Sequence, residues 1–436
     1  MLTDTLVNSN ILWVCAALSA VVLVGHLAFY LIDSHHIRAS GITGPLLARF
    51  SDAWLGWVQA HGHRSQIVHD LHKQHGTFVR LAPNHVSISD PDAIRIVNGH
   101  GIGTTKSNFY NAFVAISRSI FNTRSQEEHA RKRKAVAHVF SPKSVLEFEP
   151  YIRSHVAELL EQWDKLCEGG RKGSGWHGRH GRVWFNCMPW FNFWAFDVIG
   201  DLAFGSPFGM ICNAKYATPV AVDQETTMAE YGREKTNFEE SSELVHAIKE
   251  VPAIEILNGR SKYSASLGVL PLWVGPGYYH GMQTGRIAFP TDRFLIAGSD
   301  SVSNSLCVIT YYLAANPLVQ EKLQKELDKA LGIDNFEDPV LTYANVKNLP
   351  YLEAVVNEAM RVHSTAGLGL PRVVPVGGLT ACVGRNLAAL ELLIIISSNS
   401  RRYDVVVERP NVLLDTKEGF IRKPNVCRIG MKLRAA

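Results

Sequence analysis

The strongest constraint on this chain is an uncharged segment near its beginning. Residues 11–32 read ILWVCAALSAVVLVGHLAFYLI and contain no Asp, Glu, Lys or Arg. About 20 apolar residues are enough for a helix to cross a lipid bilayer, so the segment predicts a transmembrane helix. A buried core helix is one alternative, although core helices of this length are rare. A cleaved signal peptide is another, but it would have a basic stretch before a shorter apolar core.

The charges on either side of residues 11–32 predict an orientation. The preceding MLTDTLVNSN has one Asp and no Lys or Arg, whereas His35, His36, Arg38 and Arg49 follow. Basic residues accumulate on the cytosolic side of a span, so the bulk of the chain is predicted to face the cytosol. We therefore predict a lumenal terminus over residues 1–10, an anchor over 11–32, a linker over 33–59 and one large domain over 60–436.

The composition indicates a folded domain with an ordinary surface. Of the 436 residues, 46% are hydrophobic and 19% are charged, which excludes a disordered chain and a collagen-like repeat. The net charge of +4 is too small to predict a nucleic-acid partner. Seven cysteines without a CxxC pair indicate neither a disulfide framework nor a zinc ribbon.

Hydrophobic periodicity predicts a mainly α-helical domain with small β sheets. Residues 77–90 read TFVRLAPNHVSISD and predict a β-hairpin that turns at Pro83 and Asn84. Pro91 behind Asp90 is typical of a helix start. Further helices are predicted over residues 124–140, 149–167, 292–315, 317–331 and 350–363.

One internal segment is apolar enough to resemble a second membrane span. Residues 185–205 read FNCMPWFNFWAFDVIGDLAFG. Pro189, Asp197 and Asp201 interrupt this segment, and an ionised carboxylate is unfavourable inside a bilayer. We therefore predict a buried helix of a large core.

The predicted helix over residues 292–315 contains the first candidate site. Gly298 is unfavourable in a helix interior, so its presence indicates that something bulky approaches there. Asp300 and Ser301 place an acid beside an alcohol, which is the combination that a proton relay requires. The alternative is a kinked core helix with a solvated carboxylate.

Two further patterns follow along the chain. Glu358 and Arg361 have the i, i+3 spacing that lets a carboxylate and a guanidinium pair on one helix face. Cys382 stands just before the apolar helix that begins after Gly384, where the helix dipole favours a thiolate and hence metal ligation or nucleophilic attack. The alternatives are a chance ion pair and a small buried cysteine. A thiol hydrolase would need a base that the sequence does not place.

Taken in order and spacing, these patterns resemble the cytochrome P450 family of haem-thiolate monooxygenases. The stretches GHRSQIVHDLHKQHGTFVRLAPNHVSISD, LIAGSDSVSN, EAMRVHSTAGLGLPR and ACVGRNLA carry the resemblance, which extends over most of residues 60–433. Within the family the chain is most similar to the fungal benzoate 4-monooxygenase (benzoate para-hydroxylase) group. The resemblance implies a cytochrome P450 fold behind the anchor.

The resemblance also implies a role for each patterned residue. Cys382 would be the axial ligand of the haem iron, with Gly384 allowing close approach of the backbone. Asp300 and Ser301 would deliver protons, with Ser in place of the usual Thr. Further assignments are haem contacts for His129, Arg133, Arg372 and Gly298, structural support for Glu358 and Arg361, and a substrate pocket formed by Phe109, Tyr110, Phe113, Ala297 and Leu368.

The activity that the resemblance implies is the insertion of one oxygen atom from dioxygen into an aromatic or apolar substrate. A benzoate-like acid and a fungal secondary-metabolite intermediate are the two substrate classes. The cofactor would be haem b, with electrons from NADPH supplied through NADPH–cytochrome P450 reductase. The protein would be a single-pass protein of the endoplasmic reticulum membrane, in contact with its lipid, with a cytosolic catalytic domain and no nucleic-acid partner.

Two departures from the family pattern indicate internal deletions. Pro375 and Thr380 replace the Phe and the Arg of the family's F-x-x-G-x-R-x-C-x-G loop. The segments that normally separate LPR from this loop are missing near residues 376–381, and most of two helices is missing near 283–293. The fold is therefore expected to be incomplete. The alternative function is an inactive, truncated membrane protein derived from a cytochrome P450, which holds haem poorly or not at all.

Overall fold

A computed structural model describes most of the chain. Its described residues are 13–21, 23–25, 40–98, 104–114, 118–171, 181–221, 248–252, 264–266, 268–269, 296–332, 338–373 and 382–434. The suspected deletions near 283–293 and 376–381 fall outside these ranges, as do residues 1–10.

The described part of the chain is mainly helical, which confirms the predicted fold class. The α-helices are α1 Ala53–His61, α2 Arg64–His75, α3 Pro91–Asn98, α4 Gln126–Val136, α5 Pro142–Leu146, α6 Glu149–Arg171, α7 Met188–Phe204, α8 Met210–Asn213, α9 Ser301–Ala315, α10 Pro317–Leu331, α11 Tyr343–Val346, α12 Pro350–Val362 and α13 Arg385–Arg402. Short 3₁₀ helices cover Leu47–Arg49 and Asn108–Phe113.

The strands form small antiparallel sheets. They are β1 Phe78–Ala82, β2 His85–Ile88, β3 Thr105–Lys106, β4 Val183–Asn186, β5 Ala217–Ala221, β6 Ile248–Pro252, β7 Arg372–Val373, β8 Tyr403–Val406, β9 Thr416–Glu418, β10 Arg422–Pro424 and β11 Arg428–Leu433. One sheet has the strand order β4–β11–β8, and the others are the pairs β1–β2, β3–β7, β5–β6 and β9–β10. The β1–β2 pair is the predicted hairpin.

The main core lies between α6, α7, α9 and α13 and the sheet β4–β11–β8. Helix α7 runs through it with Phe191, Trp194 and Phe196 almost completely buried. The prediction of a buried helix within residues 185–205 is therefore confirmed over most of its length, whereas Phe185 and Asn186 belong to strand β4. The helix ends at Gly205, whose φ of 73° is a left-handed conformation that favours glycine.

Local signals set several helix boundaries. Helix α4 is shorter than the predicted 124–140 and ends at Val136. It begins at Gln126, because the Ser125 side chain accepts a hydrogen bond from the Glu128 amide and so caps its first turn. Helix α3 begins at Pro91, where the Asp90 carboxylate accepts from the amide of Asp92 at 2.8 Å. Helices α10 and α12 both open with proline, as predicted.

Part of the predicted anchor is described. Residues 13–21 and 23–25 are helical, and their apolar side chains are exposed, with Trp13 at 75% and Val21 at 70%. The rest of residues 11–32 lies outside the described ranges. Among the described residues, no helix combines the length and hydropathy that crossing a bilayer requires.

Candidate active site

A turn of π-helix lies where the first candidate motif was identified. Residues Ile296–Asp300 form this turn directly before α9, and such turns interrupt the regular pattern of helical hydrogen bonds. The Ser301 hydroxyl donates to the Ala297 carbonyl at 2.7 Å. The Ser305 hydroxyl in turn donates to the Ser301 carbonyl at 2.8 Å. Hydroxyls therefore bond to the backbone throughout this segment.

Gly298 sits on this turn at the contact with α7. A Cβ atom added at Gly298 would lie 2.9 Å from Cδ1 of Ile199, which is closer than side-chain carbons normally approach. The bulky group that approaches Gly298 in this structure is therefore Ile199. The predicted contact of Gly298 with haem stays a prediction.

Asp300 has a partner that the sequence did not indicate. Its carboxylate is buried, and Oδ1 lies 2.8 Å from Nζ of Lys423 on strand β10. The Lys423 side chain is 21% exposed, so it connects the buried carboxylate to solvent. The contact is an ion pair without hydrogen-bond geometry, and it places a partly exposed cation beside the buried carboxylate at the π-turn.

The residues predicted to hold haem carboxylates come together in space. Strands β3 and β7 pair so that Lys106 lies opposite Arg372, and the positive charges of Lys106, Arg133 and Arg372 all act on His129 of α4. We call Lys106, His129, Arg133 and Arg372 the basic cluster.

Burial and repulsion between like charges lower the pKa values in the basic cluster. Burial, followed by the charges of Arg372 and Arg133, lowers the pKa of Lys106 from 10.5 to about 8. Burial and the charges of Lys106, Arg133 and Arg372 lower the pKa of His129 from 6.5 to about 4. A bound dianion would relieve this repulsion, and guanidinium groups bind carboxylates through paired hydrogen bonds. The cluster therefore fits the two propionates of a haem.

The sequence-based prediction missed Lys106. Its side chain is only 6% exposed, and its ammonium donates to the Ile120 carbonyl at 2.8 Å. A two-residue strand has no hydrophobic period, and its partner strand lies more than 260 residues away along the chain. The only local signal is a lysine next to an aromatic run.

Three predicted substrate-pocket residues, Phe109, Tyr110 and Phe113, form an aromatic cluster with Phe121 and Phe420, which the sequence did not indicate. The ring centroids of Phe113 and Phe420 are 4.9 Å apart. Leu368 packs against this cluster. Ala297 lies on the π-turn instead and is exposed.

Tyr110 joins the aromatic cluster to the basic cluster. The Lys106 ammonium lies 5.6 Å from the centre of the Tyr110 ring. The Tyr110 hydroxyl is buried and has no hydrogen-bond partner among the described residues. Burial raises the pKa of Tyr110 to about 12, so this hydroxyl is a neutral donor at physiological pH. The arrangement offers an apolar aromatic wall beside cationic and hydroxyl donors.

Cys382 is an exposed free thiol just before α13. Gly384 is the N-cap residue of this helix, and a Cβ atom there would meet no atom within 4 Å. Asn386 fixes the position of the first turn, because its side-chain amide nitrogen donates a hydrogen bond to the Phe140 carbonyl at 2.9 Å. The loop over residues 374–381 lies outside the described ranges, so the predicted iron ligation by Cys382 stays a prediction.

Glu358 and Arg361 form the ion pair that their spacing predicts. Two parallel hydrogen bonds of 2.7 Å join the guanidinium to the carboxylate, and the hydrogen bond from Arg361 lowers the pKa of Glu358. The side chains are 61% and 70% exposed. The pair borders a groove of about 400 Å³ that Tyr312, Tyr351 and Val355 line. Its predicted support of the Cys382 loop is not visible among the described residues.

Comparisons with known proteins give one consistent family. A sequence model of the cytochrome P450 family matches residues 53–241 and 278–376. Benzoate 4-monooxygenase of Aspergillus niger is 32% identical over 533 residues, which cover 96% of this chain and 97% of that protein. Pisatin demethylase of Fusarium vanettenii is 27% identical over 434 residues, which cover 91% of this chain and 80% of that protein.

The fold agrees with these sequence comparisons. A cytochrome P450 of known crystal structure superposes with a TM-score of 0.62 at 14% identity, covering 90% of this chain and 98% of that one. The fold and the order of the sequence motifs thus indicate the same family as the sequence matches. The chain belongs to the cytochrome P450 family of monooxygenases.

Proposed function

We propose that this chain is a haem-dependent monooxygenase that inserts one oxygen atom into a small aromatic or apolar substrate. The observation that carries the proposal is the basic cluster. Like charges on Lys106 and Arg372 face each other across paired strands, an arrangement that an anionic cofactor would stabilise. The test is the carbon monoxide difference spectrum of the reduced protein in yeast microsomes.

The basic cluster fits the carboxylate edge of a haem, and in this proposal the Cys382 thiolate would hold the haem iron. Lys106, Arg133 and Arg372 would hold the propionates, with His129 beside them. Once bound through a cysteine thiolate, the group supplies the activation of dioxygen.

The proton path lies in the chain's own residues. Solvent reaches the partly exposed Lys423, whose ammonium contacts the Asp300 carboxylate at 2.8 Å. Asp300 stands next to Ser301, whose hydroxyl now donates to the Ala297 carbonyl. To pass a proton onward, the Ser301 hydroxyl has to turn away from that carbonyl. In this proposal Lys423 holds the Asp300 carboxylate in place beside the π-turn, protons enter from solvent at this ion pair, and Ser301 is the last donor of the path.

A small aromatic acid is the substrate class that we propose. The aromatic cluster offers ring faces, while the Tyr110 hydroxyl, which has no hydrogen-bond partner among the described residues, offers a donor to a carboxylate. The similarity to benzoate 4-monooxygenase of Aspergillus niger supports the same class. Hydroxylation of benzoate by haem-loaded protein would support it, and an inert, haem-loaded protein would favour a secondary-metabolite intermediate.

We further propose that electrons come from NADPH–cytochrome P450 reductase and that the protein is anchored in the endoplasmic reticulum membrane. Exposed apolar side chains on residues 13–21 support contact with lipid. On helix α4, Arg131 and Lys134 are exposed, which suits an acidic electron-donor protein. Fractionation of tagged protein with microsomes, resistant to carbonate extraction, is the expected result.

A second candidate function rests on what the chain lacks. The alignment with the Aspergillus niger relative extends over 533 residues, whereas this chain has 436. At least 97 positions of that relative therefore have no counterpart here. The exposed Glu358–Arg361 pair and the open groove beside it suit a surface that a missing segment would cover. We propose that the chain as it stands holds haem weakly and has little activity.

One experiment separates the two candidates. The chain is expressed beside a repaired version in which the relative's segments are inserted near residues 283–293 and 376–381, and beside the repaired version with C382A. A thiolate-type Soret band in the original chain supports an active enzyme. A band only in the repaired version supports the inactive chain. A band of equal size in the C382A version would contradict the assignment of Cys382.

A further inference from the structure

Three cysteines from distant parts of the sequence meet inside the main core. The Sγ atoms of Cys187, Cys307 and Cys427 all lie within 4.8 Å of one another. Each residue is completely buried, at 0% exposure. Cys187 is the N-cap residue of α7, Cys307 lies in the middle of α9, and Cys427 directly precedes β11. We call these residues the cysteine trio.

Backbone hydrogen bonds fix two members of the trio. The Cys187 amide donates to the Cys427 carbonyl at 3.0 Å, which continues the β4–β11 ladder by one residue pair. The Cys427 amide donates to the Asn186 side-chain oxygen at 3.0 Å. Helix α9 supplies the third thiol from its buried face. The three sulfur atoms are therefore held together by the main chain and need no ligand to bring them there.

We propose that the cysteine trio binds one copper(I) ion. Sulfur-only donor sets select soft metals, and copper(I), zinc and iron–sulfur clusters are the candidates. Structural zinc sites almost always have four ligands, but among the described residues no fourth Cys, His, Asp or Glu joins the trio. Three sulfur ligands satisfy copper(I) in a trigonal arrangement. A single metal ion also suits the small space between three mutually close sulfur atoms.

Two other interpretations of the trio predict different behaviour. Cysteine packs as a small apolar side chain, but ordinary packing does not require three sulfur atoms to converge. A disulfide between Cys187 and Cys427 would leave Cys307 without a partner, and reducing compartments disfavour such bonds. All three are free thiols in the structure.

The binding step balances without any redox reagent. Copper(I) keeps its oxidation state, copper–sulfur bonds form, and each thiol that becomes a thiolate releases its proton to solvent. The ion would then join α7, α9 and the start of β11 at one point. The trio includes neither Cys382 nor any residue of the basic cluster, so the proposal stands apart from the proposed function.

The test measures copper retained by the full-length protein. The wild type, C307A, C187A and the control C167A are produced in copper-supplemented yeast and purified without oxygen. Excess bathocuproine disulfonate then strips copper from the exposed cysteines 15, 212 and 382. Cys167 is a buried free cysteine outside the trio, so its variant controls for the loss of any buried thiol. Metal content follows from mass spectrometry.

We expect one copper per chain in the wild type and in C167A, and none in C307A or C187A. We also expect X-ray absorption to show three sulfur neighbours around the metal, and copper to raise the melting temperature of the wild type and of C167A but not of C307A or C187A. Any one of four results would overturn the proposal. These are equal copper in all four proteins, no copper in the wild type, zinc retained instead of copper, and a disulfide between Cys187 and Cys427. The absorption spectrum of the wild type decides the matter if both trio variants fail to fold.

Discussion

Lys106 and Arg372 lie directly opposite each other in the β3–β7 pair, although both carry a positive charge. Like charges across paired strands destabilise a sheet. Lys106 is also among the most buried charged residues described. In the ligand-free protein these two charges therefore lower the free energy of unfolding. An anionic ligand that paired with them would make their contribution to that free energy favourable.

Lys106 gives the haem-free protein a measurable pH dependence. Its pKa is about 8 when folded against 10.5 for a free lysine, so the unfolded chain binds more protons between these values. The unfolding free energy of the wild type is therefore expected to rise from about pH 7 to pH 10, relative to K106M, by on the order of 1–3 kcal/mol. Urea denaturation at both pH values measures the difference. The control is K73M at an exposed lysine, and an equal pH dependence in wild type and K106M would contradict the burial of Lys106.

Removing one partner of the Asp300–Lys423 ion pair is expected to destabilise the protein. K423M leaves a buried carboxylate without its cation and is expected to lower the unfolding free energy by about 3–5 kcal/mol. The double variant D300N/K423M is expected to recover most of this loss, because it removes the buried charge. Urea denaturation of both single variants and the double variant completes a double-mutant cycle. Additive losses would mean that the two side chains do not interact.

Contact between α7 and α9 is expected to limit what can replace Gly298. G298A puts a Cβ atom 2.9 Å from Cδ1 of Ile199, and such overpacking costs about 1–3 kcal/mol. The substitution I199V removes Cδ1. We expect G298A to be destabilising alone and close to neutral or stabilising beside I199V, since alanine favours a helix over glycine. Thermal denaturation of the four proteins tests this, and an equal loss in both backgrounds would show that Ile199 is not the obstacle.

The Glu358–Arg361 pair is expected to contribute little in this chain. Because both side chains are mostly exposed, E358Q should leave the urea midpoint unchanged, as exposed ion pairs generally do. In the repaired chain, where a restored segment covers the pair, the same substitution is expected to lower the midpoint clearly. A large loss in the original chain would show that the pair is buried in solution.

Local features of the structure could be predicted from the sequence. The hairpin of residues 77–90 and helices α10 and α12 have their own turn residues, prolines and apolar periods, which act within a few residues. The apolar composition of α7 predicted either a membrane span or a buried core helix, and its two carboxylates and its proline excluded the span. The motif order also indicated the family, so His129, Arg133 and Arg372 were predicted to share a site before their positions were known.

Contacts between distant segments could not be predicted. Lys423 meets Asp300 across more than 120 residues, and the cysteine trio extends over 240. Neither has a spacing that periodicity can detect, because register between separate segments depends on the packing of the entire core. The spacing of Glu358 and Arg361 predicts their ion pair but not its exposure, because exposure depends on which other segments pack over the helix.

The opposed charges of Lys106 and Arg372 also lead to an expectation about related genes. In a lineage that no longer binds an anionic cofactor, a neutral residue at either position would improve folding, so the pair would no longer be retained. Both charges are still present here. Among diverged copies of this gene, those that have been out of use longest are expected to lose Lys106 or Arg372 before they lose the residues of the main core.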